Sequence, residues 1–577
     1  MKRFWVVVLF MILVIAACGG RPEETATPPP TRGLPTSTPP PSATPMMAET
    51  GVPEPGTSHP GRPLPVDAGE LFSTSGACAI CHNNMTDDSR ADVSLDTYWR
   101  ATMMANAARD PYWLASVRYE VLLNPDLQQT IEEKCAACHM PMAERSAAFS
   151  GDPVGIFGEG FINPENELHT IALDGVSCTL CHQITAAGLG LPGSYSGGFT
   201  IDTELPKGDR RIYGPYSMSQ ADVDVMQSIS GFLPLQGLHL SRAALCATCH
   251  TLYTPYVDGS GSIVGEFPEQ MTFLEWYYSG YRNISSCQAC HMPEAVGGVR
   301  ISTTSATLRG PFSQHAFVGG NAYVLEILKT FPEELEVTAS SQDFAGSIAR
   351  TLDQLQNEAA SMTLDDVNFY NGTLYVDLSI ENLAGHKFPT AFPSRRAWLH
   401  FMVQDANGAT IFESGAYNTN GSIVGNDNDA DPLAFEPHYE IIGTEDKVQI
   451  YEAILGDTER QVTTTLLRAS SYVKDNRLLA WRSEKTAPWE DIAVWGDAFD
   501  DEDFQGGGDS IQYIVGLGDA PGPYTITAEL LYQSIGFRWA ENMRDIQAEE
   551  IDRFLRYYDT VPNLPVVVAS ITTTTED

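Results

Sequence analysis

The pattern Cys-x-x-Cys-His occurs five times between Cys78 and His291, and no other feature of the chain constrains its fold as strongly. The copies are Cys78–Cys81–His82, Cys135–Cys138–His139, Cys178–Cys181–His182, Cys246–Cys249–His250 and Cys287–Cys290–His291. Two cysteines at that spacing can form thioethers to the two vinyl groups of a haem, and the adjacent His can take the iron from one face. The alternatives are zinc sites built from paired C-x-x-C units and thioredoxin-type dithiols. Neither chemistry needs a His after every second cysteine. Five covalently bound haem c groups are therefore expected.

The bulk numbers fit that reading. A chain of 577 residues is too long for one ordinary domain. Of its 11 cysteines only Cys18 lies outside the motifs, so no disulfide framework is available. Covalent haem takes over the crosslinking. The 34 basic and 74 acidic residues give a formal charge of −40. Nucleic acid and anionic lipid surfaces are poor partners for such a chain. Basic redox proteins, or cationic and metal acceptors outside the cell, are favoured by electrostatic steering. Plain solubility of a secreted surface explains the charge equally well.

In chain order, residues 1–17 carry Lys2 and Arg3, then the apolar run Phe4 to Ile15, then small residues. That is a secretory signal, too short for a comfortable membrane span. Ile15-Ala16-Ala17-Cys18 resembles a bacterial lipobox, which would make Cys18 the acylated first residue of the mature chain. The alternative is an uncleaved anchor. Either places the bulk outside the cytoplasm, held at a membrane. Residues 18–66 are rich in Pro and Thr, as in Thr27-Pro28-Pro29-Pro30, and are expected to be a disordered tether in which His59 is a mobile surface residue.

Residues 67–336 interleave the motifs with Gly/Pro-rich loops and short helices, as expected when porphyrins form most of the core. Trp99–Val117 reads as helical, broken or restarted by Pro111. Residues 337–366 are a connecting helix opened by Ser340 and Asp343. From 367 to 577 the pattern changes. Leu374, Val376, Leu378 and Ile380 alternate with polar residues, and further short strands follow at Arg396–Asp405, Lys447–Leu455, Gln512–Val515 and Tyr524–Tyr532. A helix from Asp545 to Tyr558 and a frayed tail from Thr572 close the chain. The fold class is therefore multidomain: a haem-packed, mostly helix-and-loop section followed by an antiparallel β-sandwich-like domain.

The second ligand of each iron decides between an electron carrier and a site open to substrate. Seven histidines lie outside the motifs. His169 and His239 precede the third and fourth motifs, and His315 lies just before a helix. All three are candidate distal ligands. His386, in Gly385-His386-Lys387-Phe388-Pro389, lies at the end of the first β-section strand, where Gly permits an unusual turn and Pro stiffens the exit. That loop is expected to insert His386 into the haem section as a ligand. The remaining haem would take a thioether from Met103 or Met104, unless both are helix-core residues. His400 reads as a packed or surface residue, and His438 has no clear role.

The haem section resembles the cytochrome c-552/c-554 group of multihaem cytochromes, related to hydroxylamine oxidoreductase. The likeness rests on Asp174-Gly175-Val176-Ser177-Cys178, on Cys138-His139-Met140-Pro141 and Cys290-His291-Met292-Pro293, and on the Trp99 segment. In that group a similar Trp segment often carries a distal His where Met104 stands here, which favours Met104 over Met103. The C-terminal part resembles the β-domain appended to certain multihaem cytochromes, through Gly385 to Thr390, Ser394 to Trp398 and Lys474 to Leu479. What the resemblance implies is closely spaced haems passing electrons along a chain. Arg395 or Arg396 would suit a haem propionate. Asp427, Asp429 and Asp431 alternate like the opening of a calcium loop, but the expected Gly is absent and His438 stands where Glu is usual, so the alternatives are a calcium ligand set and an ordinary acidic turn. The expectation is an extracytoplasmic, lipid-anchored pentahaem cytochrome c that relays electrons, most haems six-coordinate. The rival is a haem redox enzyme acting on a small nitrogen or sulfur compound at one open haem. A third reading makes the β-section a docking module.

Overall fold

The computed structural model describes residues 59–486 and 489–575. The signal segment, the lipobox with Cys18 and most of the tether lie outside the described residues. Part of the stretch that the composition assigns to the tether is packed. His59 is 8 % exposed and Leu64 is buried. The Arg62 amide donates to the Thr338 carbonyl at 2.9 Å, and the Ser341 amide to His59 O at 3.1 Å. His59 is thus no mobile surface residue. Its Nδ1 lies 3.2 Å from Glu333, and residues 59–66 belong to the body because Leu64 packs with Trp99 and Ala105.

The haem section is built from short helices on loops. Leu95–Arg100 is helical, and the next helix, Pro111–Leu123, starts at the proline, with Asp110 accepting from the Tyr112 and Trp113 amides. Pro at the first helical position lacks only a donor that would go unused. Helices Gln128–His139 and Pro141–Ser150 meet at Met140. Asp174 is buried and accepts from the Ser75 amide and hydroxyl at 2.8 and 2.6 Å, tying the third motif's lead-in to the first motif's helix. Gly175 has φ 62°, and a Cβ there would stand 2.7 Å from the Ala105 carbonyl. Only glycine fits.

Ser340 and Asp343 form a reciprocal cap on the helix Ser341–Gln354, worth about 1 kcal/mol. That helix ends in a wider turn, Leu355–Ala359. The expected connecting helix through residue 366 is therefore corrected. The chain turns extended at Ala360 because residues 360–370 pair with 373–382 across a tight turn at Asn371-Gly372, where both φ angles are positive.

We number the main strands of this second section β1 (Ala360–Tyr370), β2 (Thr373–Asn382), β3 (Arg396–Gln404), β4 (Thr410–Ser414), β5 (Gly508–Gly516), β6 (Thr525–Gln533) and β7 (Val566–Thr574). One sheet runs β4-β3-β6-β7, all neighbours antiparallel. The other runs β5-β2-β1, also antiparallel, with Ile441–Ile442 added in parallel beside β5. The tail is not frayed through Thr574, since Thr572 to Thr574 pair with Thr525 to Thr527. Alternate residues of both sheets share one core. Leu374, Val376 and Leu378 meet Leu399, Phe401, Tyr513 and Ala528 there, and the Phe401 and Tyr513 rings stack at 3.8 Å.

The described residues, from His59 onward, cluster as one compact unit. Arg118 pairs with Glu550 at 2.8 Å, Tyr112 packs on Phe554 at 5.2 Å, and Tyr472 donates to Pro268 O at 2.6 Å. Among the described residues, no helix is long and apolar enough to cross a membrane.

Candidate functional site: facing histidines between Cys-x-x-Cys-His motifs

The ten motif cysteines are all free of disulfides, and several sulfurs of different motifs adjoin. Cys78 adjoins Cys178, Cys138 adjoins Cys249, and Cys246 adjoins Cys287. The first motif thus borders the third, the second borders the fourth, and the fourth borders the fifth.

Each motif His needs one ring nitrogen with a free lone pair. A backbone carbonyl can only accept, so a ring nitrogen bonded to one must carry the proton, which leaves the other nitrogen unprotonated in a neutral ring. His82 Nδ1 is bonded in this way to Ile301 O, His139 to Ala107 O, His182 to Tyr213 O and His291 to Val318 O. Their Nε2 atoms are left to coordinate. Burial pushes His139 down to about 4 and lowers His182 and His291 as well, which keeps the rings neutral.

Two outside histidines stand opposite motif histidines. His315 faces His182 with ring centroids 6.3 Å apart and planes 13° from parallel. His386 faces His291 at 6.2 Å and 12°. Two metal–nitrogen bonds of about 2 Å, plus two ring radii of about 1.2 Å, put such centroids roughly 6 Å apart. Both outside rings show the same tautomer lock, with His315 Nδ1 on Ser313 O at 3.2 Å and His386 Nδ1 on Lys387 O at 2.8 Å. These residues fit a haem iron held between paired imidazoles. Burial pushes His315 down to about 3 and lowers His386.

His169 and His239 are not brought into such pairs. His169 Nδ1 bonds Phe161 O at 2.9 Å, and its Nε2 lies 4.0 Å from Glu336 Oε2. His239 is reversed, with Nε2 on Ile184 O at 2.8 Å and Nδ1 free. No histidine ring faces His82, His139 or His250 in the paired manner among the described residues. His139 instead stacks on Trp113 at 4.3 Å. Met103 packs against the helical core cluster that includes Tyr112 and Val324. Met104 is half-buried, and its carbonyl accepts the Val176 amide at 3.0 Å. Trp99 Nε1 donates to Val176 O at 3.1 Å, so the Trp99 segment and the Asp174–Ser177 segment interlock.

His400 and His438 have both ring nitrogens committed. His400 sits between Glu413 and Glu529, at 2.9 and 3.0 Å. His438, Asp501 and Asp509 bring ligand-type atoms within 4.8 Å of one another, as a metal site would. Yet His438 Nδ1 accepts from Gln449 Nε2 at 2.7 Å and Asn476 Nδ2 at 3.1 Å. Those amides are oriented by their oxygens, which take the Tyr439 and Glu452 N–H groups. Nδ1 therefore carries no proton, Nε2–H donates to Asp501 at 3.0 Å, and no lone pair remains for a metal. The calcium expectation finds no support either. Both Asp429 oxygens bind Arg396, at 2.8 and 3.0 Å, and one also takes the Ile423 amide. A buried bidentate ion pair, not a loop ligand, explains that aspartate. It also removes Arg396 from the propionate candidates. Arg395 remains, donating to Thr390 O at 3.1 Å.

Burial pushes Asp509 up to about 8, although Tyr451 OH donates to it at 2.7 Å. Unfolded, its value is about 3.9. A carboxyl whose folded pKa is raised stabilises fully below the unfolded value, and that contribution is lost as pH rises through the folded one. Between about pH 4 and 8 this group makes stability fall by about 1.4 kcal/mol per pH unit. Asp509→Asn is expected to remove that slope. Denaturant unfolding of both proteins across the range checks it.

The family model for cytochrome c554 and c-prime matches residues 77–183, which hold three of the five motifs. No curated protein matches the chain. Among solved structures, a penta-heme cytochrome c552 from Thermochromatium tepidum is similar, at 15% identity and a TM-score of 0.48, covering 87% of this chain and 98% of that one. Over residues 77–183 the chain is similar to the cytochrome c554 and c-prime family, a likeness that supports covalently bound haem c at the motifs it spans.

Proposed function

We propose that the protein is an extracytoplasmic, lipid-anchored pentahaem c-type cytochrome that relays electrons between redox partners through mostly six-coordinate haems. The observation that carries this reading is the pair of facing imidazoles, His182 with His315 and His291 with His386, each at coordination span. Haem c, when bound, supplies reversible one-electron chemistry at each iron. The chain's own residues would attach it through the ten cysteines, hold four of the five motif histidines in one tautomer, and close the second face with His315 and His386. His169, His239 and Met104 are the remaining candidates for second ligands. Adjoining motifs would keep successive haems close, as a relay requires. The domain plan is a pentahaem section to about residue 336, the helix after Ser340, and a β-sandwich-like section made by the two sheets. Cys18 would carry the anchor.

The test is the mass and electron paramagnetic resonance spectrum of the secreted holoprotein. Five covalent haems, with low-spin ferric signals dominating, are expected. Polypeptide mass without porphyrin would end the reading. A second reading, a haem redox enzyme acting on a small nitrogen or sulfur compound, draws on the absence of a facing ring for His82, His139 and His250 among the described residues. A high-spin ferric signal that shifts with cyanide would favour it.

A further inference from the structure

We propose that Glu275 is a positioning residue for the iron site between His291 and His386, fixing the loop that carries the distal ring relative to the segment that leads into the fifth motif. The proposal rests on the His291/His386 pairing above. Glu275 lies on the helix Thr272–Tyr277 of the haem section and is 3 % exposed. Its Oε2 accepts the Lys387 amide at 3.3 Å and the Thr390 hydroxyl. One carboxylate oxygen thus grips the loop on both sides of Phe388-Pro389, starting one residue beyond the distal His. Its other oxygen lies 3.2 Å from Arg477 Nη1, on the segment that also pairs with the loop.

The surrounding contacts make the grip part of a continuous seat. Ser279 Oγ donates to Gly385 O at 3.0 Å and Tyr281 OH to Leu383 O at 2.8 Å. Phe388 exchanges both backbone hydrogen bonds with Leu478, each at 2.9 Å. A Cβ on Gly385 would lie 3.3 Å from Trp276, so the loop sits hard against the haem section. Among the described residues, Glu275 is the charged group of the seat that touches the loop backbone from the haem side. A carboxylate there does two things at once. Its geometry sets where the His386 ring stands, and its charge lies close to the iron's second ligand, where it favours the oxidised form.

The experiment uses full-length holoprotein bearing Glu275→Ala, Glu275→Gln or His386→Ala, read by paramagnetic resonance and potentiometric titration. With His386→Ala, one haem is expected to leave the low-spin set. With Glu275→Ala, the same haem is expected to become partly high-spin. With Glu275→Gln, which keeps an acceptor for the Lys387 amide but no charge, that haem is expected to stay low-spin while its potential rises, the other haems unchanged. If His386→Ala acts on one haem but both Glu275 variants leave its spin state and potential untouched, the positioning role is overturned while the ligation stands. If His386→Ala changes nothing, the ligation reading falls and takes this proposal with it. Should Glu275→Ala fail to fold, the potential of the Glu275→Gln protein decides alone.

Discussion

Substituting His315 with Ala is expected to convert one ferric haem from low-spin to high-spin, His386→Ala a different one, and the double variant two. The two imidazole pairs use separate motif histidines, His182 and His291, so the losses should add. An iron freed of its second imidazole gains a coordination position, and cyanide should bind at that haem in each single variant. His400→Ala and His438→Ala serve as controls of the same residue type. Their ring nitrogens are already taken by Glu413 and Glu529, and by Asp501, Gln449 and Asn476. Neither control should alter any haem signal. Paramagnetic resonance of the oxidised proteins checks all five. The reading fails if the controls and the ligand variants give the same spectrum as the parent.

What the sequence makes legible follows from how far apart the cooperating residues are. Haem attachment needs two thiols and an imidazole within five consecutive residues, so the motifs are readable one by one. The His386 loop is also readable, because Gly385 and Pro389 mark a stiff, irregular turn at the end of an alternating strand. Asn371-Gly372 between two alternating runs is an equally local signal for a hairpin, and it places β1 inside what reads as the end of a helix. Weighing that dipeptide would have found the strand.

Other features depend on partners that sequence spacing does not reveal. The alternating aspartates at 427, 429 and 431 have a calcium-like spacing, but Arg396 stands 33 positions away in the chain and takes both oxygens of the central one. Glu275 and Lys387 are 112 positions apart. His59 sits in a Pro-rich stretch, and only Glu333 and Ser341 show that it is packed. Periodicity cannot report such pairs, because each member alone looks like an ordinary polar residue.

Asp475→Asn is expected to cost about 3–5 kcal/mol of stability, the range found when one partner of a buried ion pair is removed. Asp475 has no exposed surface. It accepts from Lys387 Nζ at 2.7 Å and from Arg477 Nε and Nη2 at 2.9 and 2.8 Å. Burial pushes its carboxyl up, but Arg477 and Lys387 together outweigh burial and hold it below the ordinary range. A carboxyl whose folded value is depressed stabilises above the unfolded value, about 3.9, and loses that contribution as pH falls through the folded value. At neutral pH the charge is fully present. With asparagine there, Lys387 and Arg477 share a single buried carboxylate, Glu275, and the surplus positive charge has no water to meet. Lys387 would keep the Ala493 carbonyl, at 3.0 Å, and share with Arg477 one uncharged amide oxygen in place of a carboxylate. Adding Lys387→Met to Asp475→Asn restores the balance between Arg477 and Glu275, so the double variant should recover part of the loss. Thermal or denaturant unfolding of the parent, both single variants and the double variant measures the coupling. Because Lys387 follows His386 directly, Asp475→Asn should also raise the high-spin fraction at the same haem that His386→Ala affects, whereas Asp509→Asn, elsewhere in the β-section, should not.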